Sequence, residues 1–432
     1  MTKRLAPYFE LLRRNRAFRR LYVAQLISFA GDWFATVALL GLVLEMTGSA
    51  AAASLVIVLQ TGGFALASPI AGVLADRLDR RQLMVAADFA RVPVALALIL
   101  ARTPDTLWIC FLGLTLLAIG AAVFEPTSSA ALPNLVEPED LGVANVLLGS
   151  AWGVMLAVGA GLGGLVAATL GRDAAFAINA ASFAVSGLLI VGIHRPFQKS
   201  RHLSVGQARA DGSLADRASA SPLEALRVVL RFARQSRLLA ALLLSKTMFG
   251  VGTGVILMLA VFGRDVFQAG DVGIGLLYAA RGLGALIGPF AARATVGVGD
   301  RGIIRGIIAS VIIVAIAYAL FPLAPSIWVA AVLVFVGHLG GGAQWMLSTY
   351  GLQRAAPDEI RGRVFSFDYG LVTLTIAAST ILAGVLSENL APAVAVWAMV
   401  ALIAIAGSLW AWFSRPLLRA PPTGSRPTTD AA

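Results

Sequence analysis

This 432-residue chain is short of charge: Asp, Glu, Lys and Arg make up 13% of it, about half the share usual in soluble domains. Lysine is scarcest, with only Lys3, Lys199 and Lys246. None follows a glycine, which removes the Gly-Lys-Ser/Thr core of a phosphate-binding loop and argues against ATP hydrolysis. The three histidines lack the spacing of a metal site, and no metal or other cofactor is expected. The single cysteine, Cys110, cannot form an internal disulfide and sits in an apolar run, where packing is its expected role. A cleavable signal is not expected either. The first twenty residues are basic and partly polar, and the apolar run behind them is too long for a signal core.

What the chain has is hydrocarbon. Hydrophobic residues make up 58% of it, the mean hydropathy is +0.83, and a helix needs about 20 apolar residues to cross a bilayer. Twelve spans are predicted, at 20–46, 50–75, 82–101, 106–131, 141–170 and 172–193, then 237–262, 271–296, 302–321, 326–353, 363–387 and 391–413. This is an all-α membrane protein of two six-helix bundles, 1–193 with a cytoplasmic N-terminal arm and 237–413. A polar linker, 194–236, joins them, and a disordered cytoplasmic tail, 414–432, follows. Within the linker, PLEALRVVLRFARQS at 222–236 puts Leu223, Leu226, Val229, Leu230 and Ala233 on one face and Arg227, Arg231 and Arg234 on another. That pattern predicts a helix lying on the inner membrane surface.

With the N-terminus inside, twenty-eight of the Lys and Arg residues fall on the inner side and three on the outer, Arg102, Arg172 and Arg264. Basic residues collect in cytoplasmic loops, so the count supports a plasma (inner) membrane protein with both termini cytoplasmic. It also assigns the net charge of +11 to anionic lipid rather than nucleic acid. The halves repeat: LASPIA at 66–71 aligns with LIGPFA at 286–291, PEDL at 138–141 with PDEI at 357–360, and Arg13/Arg16 with Arg234/Arg237. The offsets agree within a residue, the mark of a duplicated six-helix unit in parallel orientation, as in one class of secondary transporters.

Gly159-Ala-Gly161-Leu-Gly163-Gly164 satisfies a dinucleotide fingerprint literally, but it lies inside a span without the strand and the ribose-binding acid that the chemistry needs. The pairs Gly149/Gly153 and Gly159/Gly163 instead suit close helix packing. Ionisable residues inside spans are costly and mark candidate sites. Asp32, Asp88, Arg91, Glu125, Lys246, Arg281 and Asp368 are the set. Asp88 and Arg91, one turn apart, read as a structural pair. Asp32 has no neighbour of opposite charge within four residues, and a proton or cation carrier, a fixed hydrogen bond and a substrate contact all remain open for it. Glu125 is a candidate for coupling or substrate binding. Lys246 and Arg281 are either partners of these acids or anchors for an anionic substrate. His338 reads as a packed residue.

The loop GVLADRLDRR, with Gly72, Leu74, Ala75, Asp76, Arg77, Arg80 and Arg81, resembles the signature G-x-L-A-D-R-x-G-R-R between helices 2 and 3 of the major facilitator superfamily, with Asp79 in place of a glycine. QLISFAGDWF, EMTGSA, AADFAR and FEPTSSAALPNLVEPEDL look like the branch of enterobactin exporters and macrolide efflux proteins. The resemblance spans about 17–415 and implies a monomeric exporter, not an enzyme, that moves small amphipathic molecules by alternating access, commonly against protons. Antiporters of the superfamily often carry G-P-x-x-G-G in helix 5, and here that place reads GAGLGG, without the proline. The resemblance also implies a latch at the inner ends, in which Gly72, Asp76, Arg77, Arg80 and Arg81 meet the N-terminus of helix 11 and Asp368. Trp33, Phe34, Trp152 and Trp345 are candidate contacts for apolar cargo. A lipid or lysolipid flippase on the same fold is the alternative. A non-transporting sensor or intramembrane enzyme is disfavoured, since neither a soluble domain nor a nucleophile–base pair is present.

Overall fold

A computed structural model describes residues 2–198, 222–296, 299–357 and 360–419. Among them twelve segments are long and apolar enough to cross a membrane, in the places expected. The helices are α1 (Thr2–Arg14), α2 (Arg16–Thr47), α3 (Ala50–Arg77), α4 (Arg80–Ala97), α5 (Trp108–Leu135), α6 (Leu141–Thr169), α7 (Arg172–Val191), α8 (Pro222–Gln235), α9 (Arg237–Gly250), α10 (Val255–Val261), α11 (Gly270–Thr295), α12 (Asp300–Leu320), α13 (Ile327–Ala355), α14 (Arg361–Asn389) and α15 (Pro392–Arg419).

One half consists of α2–α7 and the other of α9–α15. They meet along two seams, α3 against α14 and α6 against α11. The first span of each half is the most enclosed. The repeat survives as chemistry. In the first half Ser128 Oγ donates to Gln25 Oε1 at 3.3 Å, joining the first and fourth spans. In the second, Ser245 Oγ donates to Ser348 Oγ at 2.8 Å, and both partners lie 220 positions further on.

The N-terminal arm is helical. It forms α1, whose Leu11 is 1% exposed against the first half. Asn15 caps the next helix by accepting from Phe18 N at 3.0 Å, as Ser236 accepts from Leu239 N at 3.2 Å before the second half. An amphipathic helix, a side-chain cap and a buried span therefore open both halves. In α8, Val229 is buried and Phe232 packs against the core, whereas Leu230 is exposed. The linker does not leave the first half at 194: Phe197 is buried, and its carbonyl accepts from Asn134 Nδ2 at 3.1 Å. The last helix runs to Arg419 with Ser414 fully enclosed, so 414–419 belong to the bundle rather than to the tail. The linker stretch 199–221 and the tail from 420 lie outside the described residues.

The seventh span is interrupted. After Gly250 the chain makes a turn over 251–254, resumes as α10 and ends in one π-helical turn, Phe262–Val266. Close approach accounts for the break. A Cβ on Gly254 would sit 2.3 Å from Ser379 O, and Gly254 N donates instead to Ser379 Oγ at 2.9 Å.

The α6–α11 seam is tight from mid-span, where a Cβ on Gly282 would meet Ala157 N at 2.4 Å, to the ends remote from the basic loops. A Cβ on Gly164 would meet Asp271 O at 2.5 Å and Gly275 Cα at 2.9 Å, so only glycine allows the backbones this near. GAGLGG therefore serves two interfaces, since Gly159 and Gly163 face Trp33 and Phe34 of α2. Gly149 touches nothing within 4 Å, so that pair is not a packing motif here. A Gly164→Leu change is expected to wedge this seam open. Maleimide labelling of a cysteine placed at Ala279, in a Cys110→Ser background, should rise at least several-fold over the same cysteine without the wedge.

Candidate functional site

In the first half a buried guanidinium organises α2, α4, α5 and α7. Arg91, 3% exposed, pairs with Asp88 one turn earlier on α4 and lies 3.9 Å from Asp32 Oδ2 on α2. Asp88 is fully enclosed, and its second oxygen accepts from Ser186 Oγ on α7 at 2.6 Å. Phe183 and Phe124 cover the guanidinium at 4.1 and 5.5 Å, and Gly120 leaves room for its stem on α5. Asp88–Arg91 is thus the structural pair the spacing suggests. Asp32, isolated in the sequence, gains Arg91 as a neighbour through the fold. Glu125 stands on α5 within electrostatic reach of Asp32 and Arg91 and, across the seam, of Tyr369 on α14. Among the described residues its carboxylate accepts no hydrogen bond and forms no ion pair.

The second half has its own buried pair. Lys246 Nζ on α9 lies 2.5 Å from Asp368 Oδ2 on α14, with the side chains 4% and 2% exposed, and Trp345 on α13 covers the ammonium at 4.9 Å. The sequence reading puts Asp368 in a latch with the loop between α3 and α4, and in this structure its partner is Lys246. An ammonium enclosed in an apolar span needs a counter-charge, and Asp368 supplies it. Asp76 falls in α3, but its side chain lies outside the described part. Gly72 borders open space, and Arg77 is exposed. Arg80 donates to Ala130 O at 2.7 Å and Ala75 O at 3.3 Å, and Arg81 donates to Val191 O, all acceptors in their own half. Asp79 replaces the signature glycine because the backbone there is extended at φ −66° and the residue caps α4, accepting from Gln82 N at 2.8 Å.

Arg281 of α11 stands where the halves meet. Its Cζ lies 5.9 Å from Trp33, 5.8 Å from Trp152 and 5.6 Å from Tyr278. Trp33 packs edge-on to Trp152 with centroids 6.1 Å apart. His338 is packed, with Nδ1 3.1 Å from both Tyr318 Oη and Val334 O. Cys110 is buried, as expected. Phe34 is buried and Trp345 is 39% exposed.

A polar seal at the face opposite the basic loops has no signature in the sequence. Arg172, at the start of α7, donates to Asp271 of α11 through Nε at 2.8 Å and pairs with Glu45 of α2 at 2.8 Å, tying the two halves. Nearby, Ser49 Oγ donates to Glu388 Oε1 across the α3–α14 seam. Asp271 and Glu45 stand at span ends, where acids are ordinary, so no local pattern singles them out.

A twelve-span pair of repeated bundles with buried ion pairs in each half is the architecture of a membrane transporter. The family model of the Major Facilitator Superfamily matches residues 21–367, and the chain belongs to that superfamily. It is an integral membrane transporter, not an enzyme. It is 26% identical over 371 residues to a candidate bacilysin exporter, BacE, of Bacillus amyloliquefaciens, covering 84% of this chain and 86% of that protein. It is 29% identical over 126 residues to macrolide efflux protein A of Streptococcus pyogenes, 29% of this chain and 31% of that one. Over 178 residues it is 30% identical to the lysophospholipid transporter LplT of Salmonella paratyphi B, 38% of this chain and 42% of that one. The fold is shared with an inward-facing bacterial homologue of the lysosomal transporter Spinster, at TM-score 0.70 and 14% identity over 95% of this chain and 98% of that one.

Removing one partner of a buried ion pair costs about 3 kcal/mol or more. Asp88→Ala, which strands Arg91, should lower the unfolding temperature in lipid nanodiscs by several degrees, whereas Glu125→Gln should leave it within about a degree. Asp271→Asn should raise labelling of a cysteine at Ala279, and Arg172→Gln should do the same.

Proposed function

We propose that the protein is a secondary active exporter of small amphipathic molecules, driven by a proton gradient across the plasma membrane. The observation that supports this best is the pair Asp32 and Glu125. They lie within electrostatic reach of each other and of Arg91, and Glu125, which also reaches Tyr369 of the other half, has no fixed partner among the described residues. A carboxylic acid in a poorly solvated place can carry a proton there as the neutral form and release it when the surroundings open. Relatives named as exporters agree with the direction.

In this reading the basic face is cytoplasmic, and the structure is one of two alternating states. The seal of Glu45, Arg172 and Asp271 closes the outer side. In the other state Asp76, Arg77, Arg80 and Arg81 hold the inner ends together against the start of α14, where the helix dipole favours an anionic contact. Apolar cargo lies against Trp33 and Trp152.

The test is uphill movement of an amphipathic drug in proteoliposomes with an imposed pH gradient. Asp32→Asn and Glu125→Gln are each expected to lower gradient-driven accumulation at least tenfold while leaving downhill exchange within about threefold. Unchanged uphill transport and pH dependence in both variants would refute the assignment. The lysophospholipid relative favours a second reading, a lipid flippase. Gradient-independent movement of labelled lysolipid, with no drug accumulation, would select it.

A further inference from the structure

Three cations lie in the interior of spans, and the fold treats them unequally. Arg91 has Asp88 and Asp32 within 4.0 Å, and Lys246 has Asp368. Arg281 has no ion pair and no hydrogen bond among the described residues. Its neighbours are ring faces: Trp33 and Trp152 from the first half and Tyr278 on its own helix, all within 6 Å of Cζ. Tyr318 and His338 are the titratable groups in electrostatic reach from the neighbouring spans. Tyr278 Oη is already spent on Ile256 O at 3.1 Å, and His338 Nδ1 on Tyr318 and Val334.

Ring faces attract a guanidinium, but they leave its N–H donors without acceptors. A planar fork of donors, partly exposed and without acceptors, fits a carboxylate or a phosphate, which it holds through two parallel hydrogen bonds. The rings around it are the surface an apolar body would use. The residues come from both halves, so an occupant would touch the two bodies that must move against each other.

From this arrangement we infer that the transported molecule carries an acidic group, a carboxylate or a phosphate, on an apolar body. Arg281 receives the acid, and Trp33, Trp152 and Tyr278 receive the apolar part. The inference rests on the reading that the space between the halves is the transport path. It narrows that reading by setting neutral and purely cationic amphiphiles apart as poor cargo. Asp32 and Glu125, which have no contact with Arg281 among the described residues, keep the role of carrying the proton.

The experiment uses the full-length protein in lipid nanodiscs and four probes: N-octanoyl-phenylalanine, its uncharged amide, octyl phosphate and octyltrimethylammonium. Affinity is read by thermal stabilisation and by competition. The acid is expected to bind at least tenfold more tightly than the amide. Octyl phosphate against the octanoyl acid then separates a lipid-type headgroup from a free carboxylate. Arg281→Gln should erase the preference of acid over amide without changing the ligand-free unfolding temperature by more than about two degrees. Arg281→Lys should keep part of it, which guards against a merely misfolded Gln variant. Equal binding of acid and amide to the wild type overturns the inference, and so does an acid preference that survives in Arg281→Gln. The export reading is judged separately. If acid and amide bind alike but a cationic amphiphile is still driven uphill by a pH gradient, export stands and the acid site falls. If the acid preference depends on Arg281 but no probe is driven uphill, the site stands and the coupled-export reading falls.

Discussion

Everything in this structure that is not hydrocarbon hangs on a rule of the bilayer: a charge within a span must be answered inside the protein. Arg91 and Lys246 are the two places where the rule is met most completely. Each sits deep in its half with an acid against it and an aromatic face over it, and each draws together helices far apart in the chain. Arg91 gathers α2, α4, α5 and α7 into one body, and Lys246 binds α9 to α14. Because these charges are satisfied within a half, each half can move as a unit without exposing them. What lies between the halves, Glu125 and Arg281, is what the halves leave unanswered.

Hydropathy made the spans legible, because a run of about 20 apolar residues has few other uses. The short matches at a common offset made the duplication legible too. At the same offset Arg13 and Arg16 align with Arg234 and Arg237, so the amphipathic helix before the second half implies one before the first. The broken seventh span was also written locally, as glycines at 250, 252 and 254, but a glycine run in an apolar segment reads equally as close packing.

Pairings through space were a different matter. Lys246 and Asp368 lie 122 residues apart, and no periodicity relates them, so the natural expectation sent Asp368 to the nearest basic loop. Arg91 and Asp88 were legible because they share a helix turn, whereas Asp32 joined them only when α2 packed on α4. Asp271 carried no mark at all. An acid at the start of a helix is commonplace, and its significance comes from the arginine on the other half.

Arg172 is a shared ligand. It holds Glu45 within its own half and Asp271 from the other. When the halves separate at that face, the guanidinium keeps one carboxylate, and only Asp271 loses its partner. The cation is handed over rather than bared, and the uncovered acid starts a helix, where the macrodipole stabilises an anion. Two full charges therefore never have to be rehydrated at once. In the proposed exporter, a seal built this way gives up one of its two ion pairs on opening and keeps the other.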